Sequence, residues 1–398
     1  MPMGDVYIAE GLRTYIGAAN KAYKNIPAEA LAAAILRQLD LDAAKRGISI
    51  DTVIAGNATG GGGNIARLSL LTAGMKDSIA GITLDAQCAS GLESIITGYA
   101  RIRSGLSQCT IAGGTESAST RCIRSWNPNH PNYDSSRNSN AYQSAQFIPE
   151  DFSENSMIRG ADETCRKYGI RAEDMIPPAM ESHKNAEAAR QNGDLKKILL
   201  PCFGAHADQL IRPAITKNFV SRLRPVLQGG IITPATSCLF SDGAAFVTLT
   251  DKRLPFFTSG EENSRPRKNS FYRIVEACSV GADRFLSPES LIVAIKTLLK
   301  KSGLRAQDID RIDYNQAFAC VDILYRKEFT NPSNAFGGAL AYGHPYGASG
   351  VMILLHLICA MEKFNESLGI AAIPAAGGTA GSTHSRHWRC CSASPTVP

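Results

Sequence analysis

Long apolar runs are scarce in this chain. The densest apolar run, VMILLHLICAM at 351–361, is too short to cross a bilayer and carries a histidine. The start, MPMGDVYIAEGLRT, lacks the long apolar core that follows the basic segment of a secretory signal, so no leader is expected. Charge of one sign is not concentrated either. A net +6 spread over 398 residues suits an anionic small molecule but is not the basic footprint of a nucleic-acid binder. The eleven cysteines show no C-x-x-C spacing, which argues against a zinc site or a disulfide framework and fits a reducing cytosol.

What is there reads as a globular protein, 44% apolar and 20% charged, and too long for one ordinary core. The expectation is a cytoplasmic enzyme of two or more packed units, with no membrane or nucleic-acid partner. NIPAEALAAAILRQLDLDAAKRG reads as a helix opening at Pro27 and stopping at Gly47. LSPESLIVAIKTLLKKSG offers Ser287 as N-cap, Pro288 in the first turn and Gly303 beyond the end. MESHKNAEAARQNGD reads as an exposed helix ending at Gly193. Between helices lie the β-rich runs VYIAE, TVIAGN, GITLD, CTIAGG, AAFVTLT, RIDYN and GIAAIPA. That alternation points to an α/β protein with buried sheets. Residues 124–156 are rich in Asn, Ser and Pro and read as a surface excursion, and 259–270 as a linker.

A pattern recurs within the chain. CASGLESIITGYARI followed by CTIAGGTESAST (88–120) parallels GASGVMILLHLICAM followed by IAAIPAAGGTAGST (347–383). Each unit is A-S-G, an apolar helix, a strand and G-G-T, which suggests two similar halves. The second helix is apolar nearly all round and should lie between layers.

One cysteine stands apart by position. Cys88 precedes a run in which Ala89, Leu92, Ile95, Ile96, Tyr99 and Ile102 recur at helical spacing over 89–103. A helix N-terminus favours an anion, so a thiol there is expected to ionise more easily and act as a nucleophile. A buried structural thiol fits the same local pattern. A nucleophile wants a base, and His344 lies in the glycine-dense NAFGGALAYGHPYGASG (334–350). Asn315, in DYNQAFA (313–319), can donate an amide N–H to an oxygen or a water. An N-capping Asn and an exposed loop His are the plainer alternatives.

CASG, NQAFA, GGALAYGHPYGASG, SHKNAEAARQNG and SDGAA, with GLRTYIG and MIRGADETCRKYGI, resemble the thiolase family in their order and spacing, from about residue 5 to 381. The resemblance implies a five-layered αβαβα sandwich of two similar βαβαβαββ-type halves with an inserted loop domain. The expected division is 1–251 for the first half (loop domain about 119–235), 271–381 for the second, and 382–398 as an atypical polar tail. It implies an acyltransferase of the acetyl-CoA C-acetyltransferase kind, in fatty acid metabolism, working as a homodimer or homotetramer. The implied substrate is acyl-CoA or CoA, with no separate cofactor and no metal. Carried over, Cys88 is the acyl-accepting nucleophile, His344 the base, and Asn315 the holder of an oxyanion-hole water. Backbone N–H groups at Cys88 and near Gly378 would face the acyl oxygen. Ser237, Phe318, Gly377 and Gly378 would contact substrate.

The chain departs from the family at defined places. Thiolases carry a second cysteine in C-x-G-G-G-x-G to move the α-proton. Here AAGGTAG (375–381) puts Ala375 there, and alanine moves no proton. A Cys-His-Asn set without that cysteine looks like the decarboxylating ketosynthases, so a decarboxylating condensing enzyme is one alternative. A non-catalytic acyl-CoA-binding homologue is the other. The GNAS-like stretch of the CoA site reads ATSC (235–238), and a G-P-rich turn reads GADRFLS (281–287). The tail STHSRHWRCCSASPTVP is polar where the family closes with an apolar strand, which is expected to leave a sheet edge open. His384, His387, Cys390 and Cys391 offer metal-ligating types within it, but no metal site is expected.

Overall fold

A computed structural model describes residues 4–149, 155–256 and 270–389. The first half runs β1 (Val6–Thr14), α1 (Ala28–Lys45), β2 (Thr52–Gly56), α2 (Ile65–Thr72), β3 (Ala80–Leu84), α3 (Ser90–Arg103) and β4 (Cys109–Glu116). A long insertion carrying α4 (Ser156–Tyr168) and α5 (Ile176–Asn192) precedes its last strand, β5 (Ser241–Thr250). The second half runs β6 (Ser270–Gly281), α6 (Ser290–Ser302), β7 (Arg311–Tyr314), α7 (Ala319–Glu328), α8 (Tyr346–Phe364), β8 (Leu368–Pro374) and β9 (Thr379–Arg389).

The strands lie in the order β7-β8-β9-β6-β1-β5-β4-β2-β3. β2 runs parallel to both β3 and β4, and β7 parallel to β8; the other neighbours are antiparallel. Read outward from the centre, β1-β5-β4-β2 and β6-β9-β8-β7 are the same arrangement, so the recurrence in the sequence is a duplication of topology. The halves join where β1 meets β6, with Val6 opposite Ile274 and Ile8 opposite Tyr272.

α1 and α2 cover one face of the first sheet, α3 and α8 fill the space between the sheets, and α6 covers the far face of the second with α7 packed against it. That is the αβαβα layering. It explains why β2 and β4 are buried along their whole length, since both faces are covered. α8 is 19 residues, longer than its densest apolar run, and long and apolar enough to cross a membrane. Here it is the central buried helix. Its Val351, Leu354, Leu355, Leu357 and Ile358 are fully buried, each contributing about 1.5–3 kcal/mol.

The two A-S-G motifs are where α3 and α8 cross. A Cβ on Gly91 would sit 2.3 Å from the Gly347 carbonyl oxygen, and one on Gly350 would sit 2.6 Å from the Leu92 nitrogen. Gly91 thus admits another backbone rather than a substrate. The crossing brings the starts of both helices, and the loops before them, to one place.

Three readings of the sequence need correction. The polar stretch after Gly381 is not a loose tail as far as Arg389. It forms β9, paired with β6 from Ser270–Arg389 to Gly281–Thr379 and with β8 from Leu368–Arg386 to Pro374–Ala380. Ladder hydrogen bonds are made by the backbone and do not require apolar side chains. No edge is opened there, since β7 is the outer strand of that half. Second, α5 is not an exposed helix; one face buries Ile176, Ala179, His183, Ala186 and Ala189. Third, β6 arises where no strand was read. Residues 150–154 of the surface excursion, most of the 259–270 linker, Cys390 and Cys391 lie outside the described residues.

Candidate active site

Four loops meet above the crossing. The first carries Cys88. Gln87 has a left-handed backbone (φ 54°), unusual for a residue with a side chain, held by Asp85 Oδ1 accepting its N–H at 2.9 Å. Ser90 Oγ accepts the Ala86 N–H at 2.8 Å and donates to the Gln87 carbonyl at 2.6 Å. This tight turn presents Cys88, 7% exposed, at the start of α3.

The second loop continues β7. The Asn315 N–H donates to the Ala372 carbonyl at 3.1 Å, and its side chain caps no helix. α7 starts later, after Phe318. The Asn315 Nδ2 instead lies 3.2 Å from His344 Nε2 in the third loop. His344 is 1% exposed, so neither plainer alternative for these two residues holds. Ser182 of α5 ties the two loops, donating to Gln316 Oε1 at 2.7 Å and accepting the Gly338 N–H at 3.0 Å.

The tautomer of His344 follows from its partners. Ser349 Oγ donates to the Pro345 carbonyl at 3.0 Å, so it accepts from His344 Nδ1–H at 2.6 Å. Nε2 then carries the lone pair, facing the Asn315 amide. Burial pushes the His344 pKa down to about 3 and the Cys88 thiol up to about 12. The N–H groups of Ala376 and of Cys88 itself bond to the thiol and pull its pKa down, but burial outweighs them. The easily ionised thiol expected of a helix start is therefore not found in the free site. Desolvation wins over the helix terminus, and both groups rest neutral.

The fourth loop, Ala375–Gly378, lies at the start of β9. Ala376, not Gly378, supplies the N–H at the thiol; the Gly378 N–H turns to Ser287 Oγ at 3.4 Å. The carbonyls of Ala282 and Asp283 close on Gly378, and a Cβ on Gly377 would stand 3.0 Å from the Phe147 carbonyl, which brings the excursion against this loop. Ser237 and Phe318 pair as an isolated bridge. Ser237 Oγ turns inward to the Thr233 carbonyl at 2.9 Å.

Four residues passed over by the sequence reading belong here. Ser349 orients His344. Glu116 is fully buried and accepts from Asn57, Thr59, the Ala58 N–H and the Gly347 N–H, fastening α8 to the first half. Its signal was an acid directly after G-G-T at a strand end. Cys238 sits on a bridge between loops, its N–H on the Ala317 carbonyl at 2.8 Å, while the next residue accepts the His344 N–H at 2.8 Å. Tyr346 stacks on Phe240 at 4.4 Å and stands edge-on to His344 at 4.7 Å. Beside this bridge opens a cleft of about 480 Å³ lined by Leu210, Pro234, Ala235, Leu239 and Leu340, with His183 and Arg212. Among the described residues no group of three His, Cys, Asp or Glu side chains is placed to hold a metal.

The doubled fold and the site between its halves are those of the thiolase-type acyltransferases. Residues 6–253 match the thiolase N-terminal domain and 269–385 the thiolase C-terminal domain. A Staphylococcus aureus (strain MRSA252) protein named "Putative acetyl-CoA C-acetyltransferase VraB" is 33% identical over 384 residues, covering 94% of this chain and 97% of that one. A Staphylococcus haemolyticus (strain JCSC1435) protein of the same name is 31% identical over 396 residues, covering 97% and 100%. The fold is shared with the Bacillus anthracis acetyl-CoA acetyltransferase (TM-score 0.84, 24% identity, 97% and 100% covered). It is shared equally with human mitochondrial 3-ketoacyl-CoA thiolase, solved with CoA (TM-score 0.83, 23% identity, 97% and 99% covered). The chain belongs to the thiolase family.

Proposed function

We propose that this enzyme moves an acyl group from an acyl-CoA thioester onto Cys88 and then to a second acceptor, either CoA or the α-carbon of an acetyl thioester. The observation that carries the reading is the buried Cys88 thiol faced by two backbone N–H groups, in a site whose imidazole keeps Nε2 unprotonated, its lone pair met by the Asn315 amide. As Sγ attacks the thioester carbon, its proton passes to His344 Nε2 and charge develops on the carbonyl oxygen, where the N–H groups of Cys88 and Ala376 stabilise it. Proton and bond move together, so no isolated thiolate forms in a site that disfavours one.

The cleft beside 234–239 takes the pantetheine arm against its apolar wall, with Arg212 as the cation for a phosphate. Phe318, Ser237 and the Gly377–Gly378 turn frame the inner end. The names of the relatives support an acetyl group as the acyl unit. Thiol-rich composition without C-x-x-C spacing supports the cytoplasm. A homo-oligomer is supported by the open edge of β3, where Ile82 and Leu84 are half-buried, and by Leu68 and Leu71 exposed on the adjoining α2.

Ala375 favours a second reading, a malonyl donor whose loss of CO₂ supplies the carbanion. Intact-protein mass spectrometry after mixing with acetyl-CoA tests the first reading. An acetyl adduct is expected on the natural chain and none on Cys88→Ala. Absence of an adduct on both would overturn it. Release of CO₂ from malonyl-CoA, without condensation of acetyl-CoA, would establish the second.

A further inference from the structure

We propose that the Tyr346 hydroxyl is the group that exchanges a proton with the substrate α-carbon, the task for which Ala375 has no side chain. This deepens the reading above and rests on it. Ala375 is 1% exposed and its N–H is spent on the Thr379 carbonyl at 2.7 Å, so that position contributes only a methyl group. Tyr346 follows His344 by two residues and packs against the core cluster that contains both Cys88 and Ala375. Its ring is held on two sides, by Phe240 stacked at 4.4 Å and 13° and by the His344 edge at 4.7 Å and 74°. Among the described residues its hydroxyl makes no hydrogen bond. The charged forms of Cys88, Cys238, Glu116 and Arg121 all act on it, Cys88 the most of the four. A ring clamped against the base with its one polar atom unpaired is arranged for a substrate atom.

Burial pushes the phenol pKa up, so it is protonated at neutral pH and serves as an acid. In cleavage of a 3-ketoacyl-CoA, Cys88 Sγ bonds to the 3-keto carbon and its proton passes to His344 Nε2. The C2–C3 bond breaks, its electron pair goes to C2, and the Tyr346 O–H bond breaks to put a proton on C2; acetyl-CoA leaves. The proton on His344 Nε2 then passes to the Tyr346 phenolate, which resets both groups; the sulfur of free CoA attacks the acyl-Cys88 carbonyl and its proton passes to His344 Nε2. As its bond to the acyl carbon breaks, Cys88 takes that proton back from His344 in the same step. His344 cannot easily serve both carbons, since its two nitrogens already face Asn315 and Ser349.

The test compares two routes to one adduct. Acetyl-CoA acetylates Cys88 with no proton transfer at carbon, whereas acetoacetyl-CoA does so only with cleavage of the carbon–carbon bond. Tyr346→Phe keeps both ring contacts. It is expected to form the adduct from acetyl-CoA at close to the natural rate and from acetoacetyl-CoA about 10²–10⁴-fold more slowly. Equal slowing of both routes would mark Tyr346 as structural, and no slowing of the second would remove it from the chemistry; either overturns the proposal. So would the same selective loss in Cys238→Ala instead. If the natural chain takes no acetyl group from acetyl-CoA, the Cys88 reading fails and this one with it. If it does, and Tyr346→Phe matches it on acetoacetyl-CoA, only the present proposal fails.

Discussion

At the residue scale, burial decides protonation throughout this molecule. Cys88 and His344 are pushed away from each other, to about 12 and about 3, and neither value is visible in CASG or GHPYG. Glu10 shows the same force outside the site. It lies 1% exposed on β1, hydrogen-bonds Asp42, and is raised to about 9, first by burial and then by that neighbour. Asp42 is in turn held by Gln38 at 2.7 Å and Lys45 at 3.1 Å. In the folded chain Glu10 keeps its proton across the neutral range, while in the unfolded chain it loses it near 4.5. Folding therefore binds a proton, and stability falls as pH rises from about 4.5 to about 9. Glu10→Gln, which is neutral at every pH, should gain on the natural chain by about 4 kcal/mol between pH 5 and pH 8. Parallel urea midpoints for the two chains across that range would sink the argument.

At the element scale, β9 is where polar composition and strand geometry conflict. Ser382, Thr383, His384, Ser385 and His387 are all buried in it. Thr383 Oγ1, Ser385 Oγ and both ring nitrogens of His384 have no partner among the described residues. Each such group costs about 1–3 kcal/mol. The strand is held by its ladders to β6 and β8, so it forms, but with little to spare. Thr383→Val, which keeps the shape and removes the hydroxyl, together with Ser385→Ala, is expected to raise the urea midpoint by an amount equal to about 1–3 kcal/mol. An unchanged or lower midpoint would show that these hydroxyls find partners the structure does not place. Because the loop that leads into β9 carries Ala376, a looser strand also loosens the Ala376 N–H at Cys88.

At the scale of the whole molecule, the site exists because two copies of one topology face each other. The glycines of the two A-S-G motifs let α3 and α8 cross backbone to backbone, and Glu116 of the first half grips Gly347 of the second. Among the described residues the first sheet ends in β3, with no strand against its outer edge. We expect that edge to meet a second copy. Sedimentation should give at least a dimer, and Leu68→Glu with Ile82→Glu should shift it toward the monomer. A monomer mass for the natural chain would sink that expectation.

Most local elements were determined by the sequence alone. The helix over 28–45 starts after Pro27 and ends before Gly47, the helix over 290–302 ends at Gly303 but starts three residues after Ser287, which is not its N-cap, and the seven β-rich runs all became strands. The internal recurrence foretold the doubled topology, because periodicity, caps and turn residues act over a few positions and need no distant partner. The Cys88, Asn315 and His344 positions were legible as motifs. Their protonation, the Ser349 and Glu116 contacts, the Ala376 N–H and the placement of Tyr346 were not. Each depends on groups far apart in the chain, and on how much water the fold removes from between them. β9 is the sharpest case: its side chains argue against a buried strand, and only the backbone partners on both sides decided that it is one.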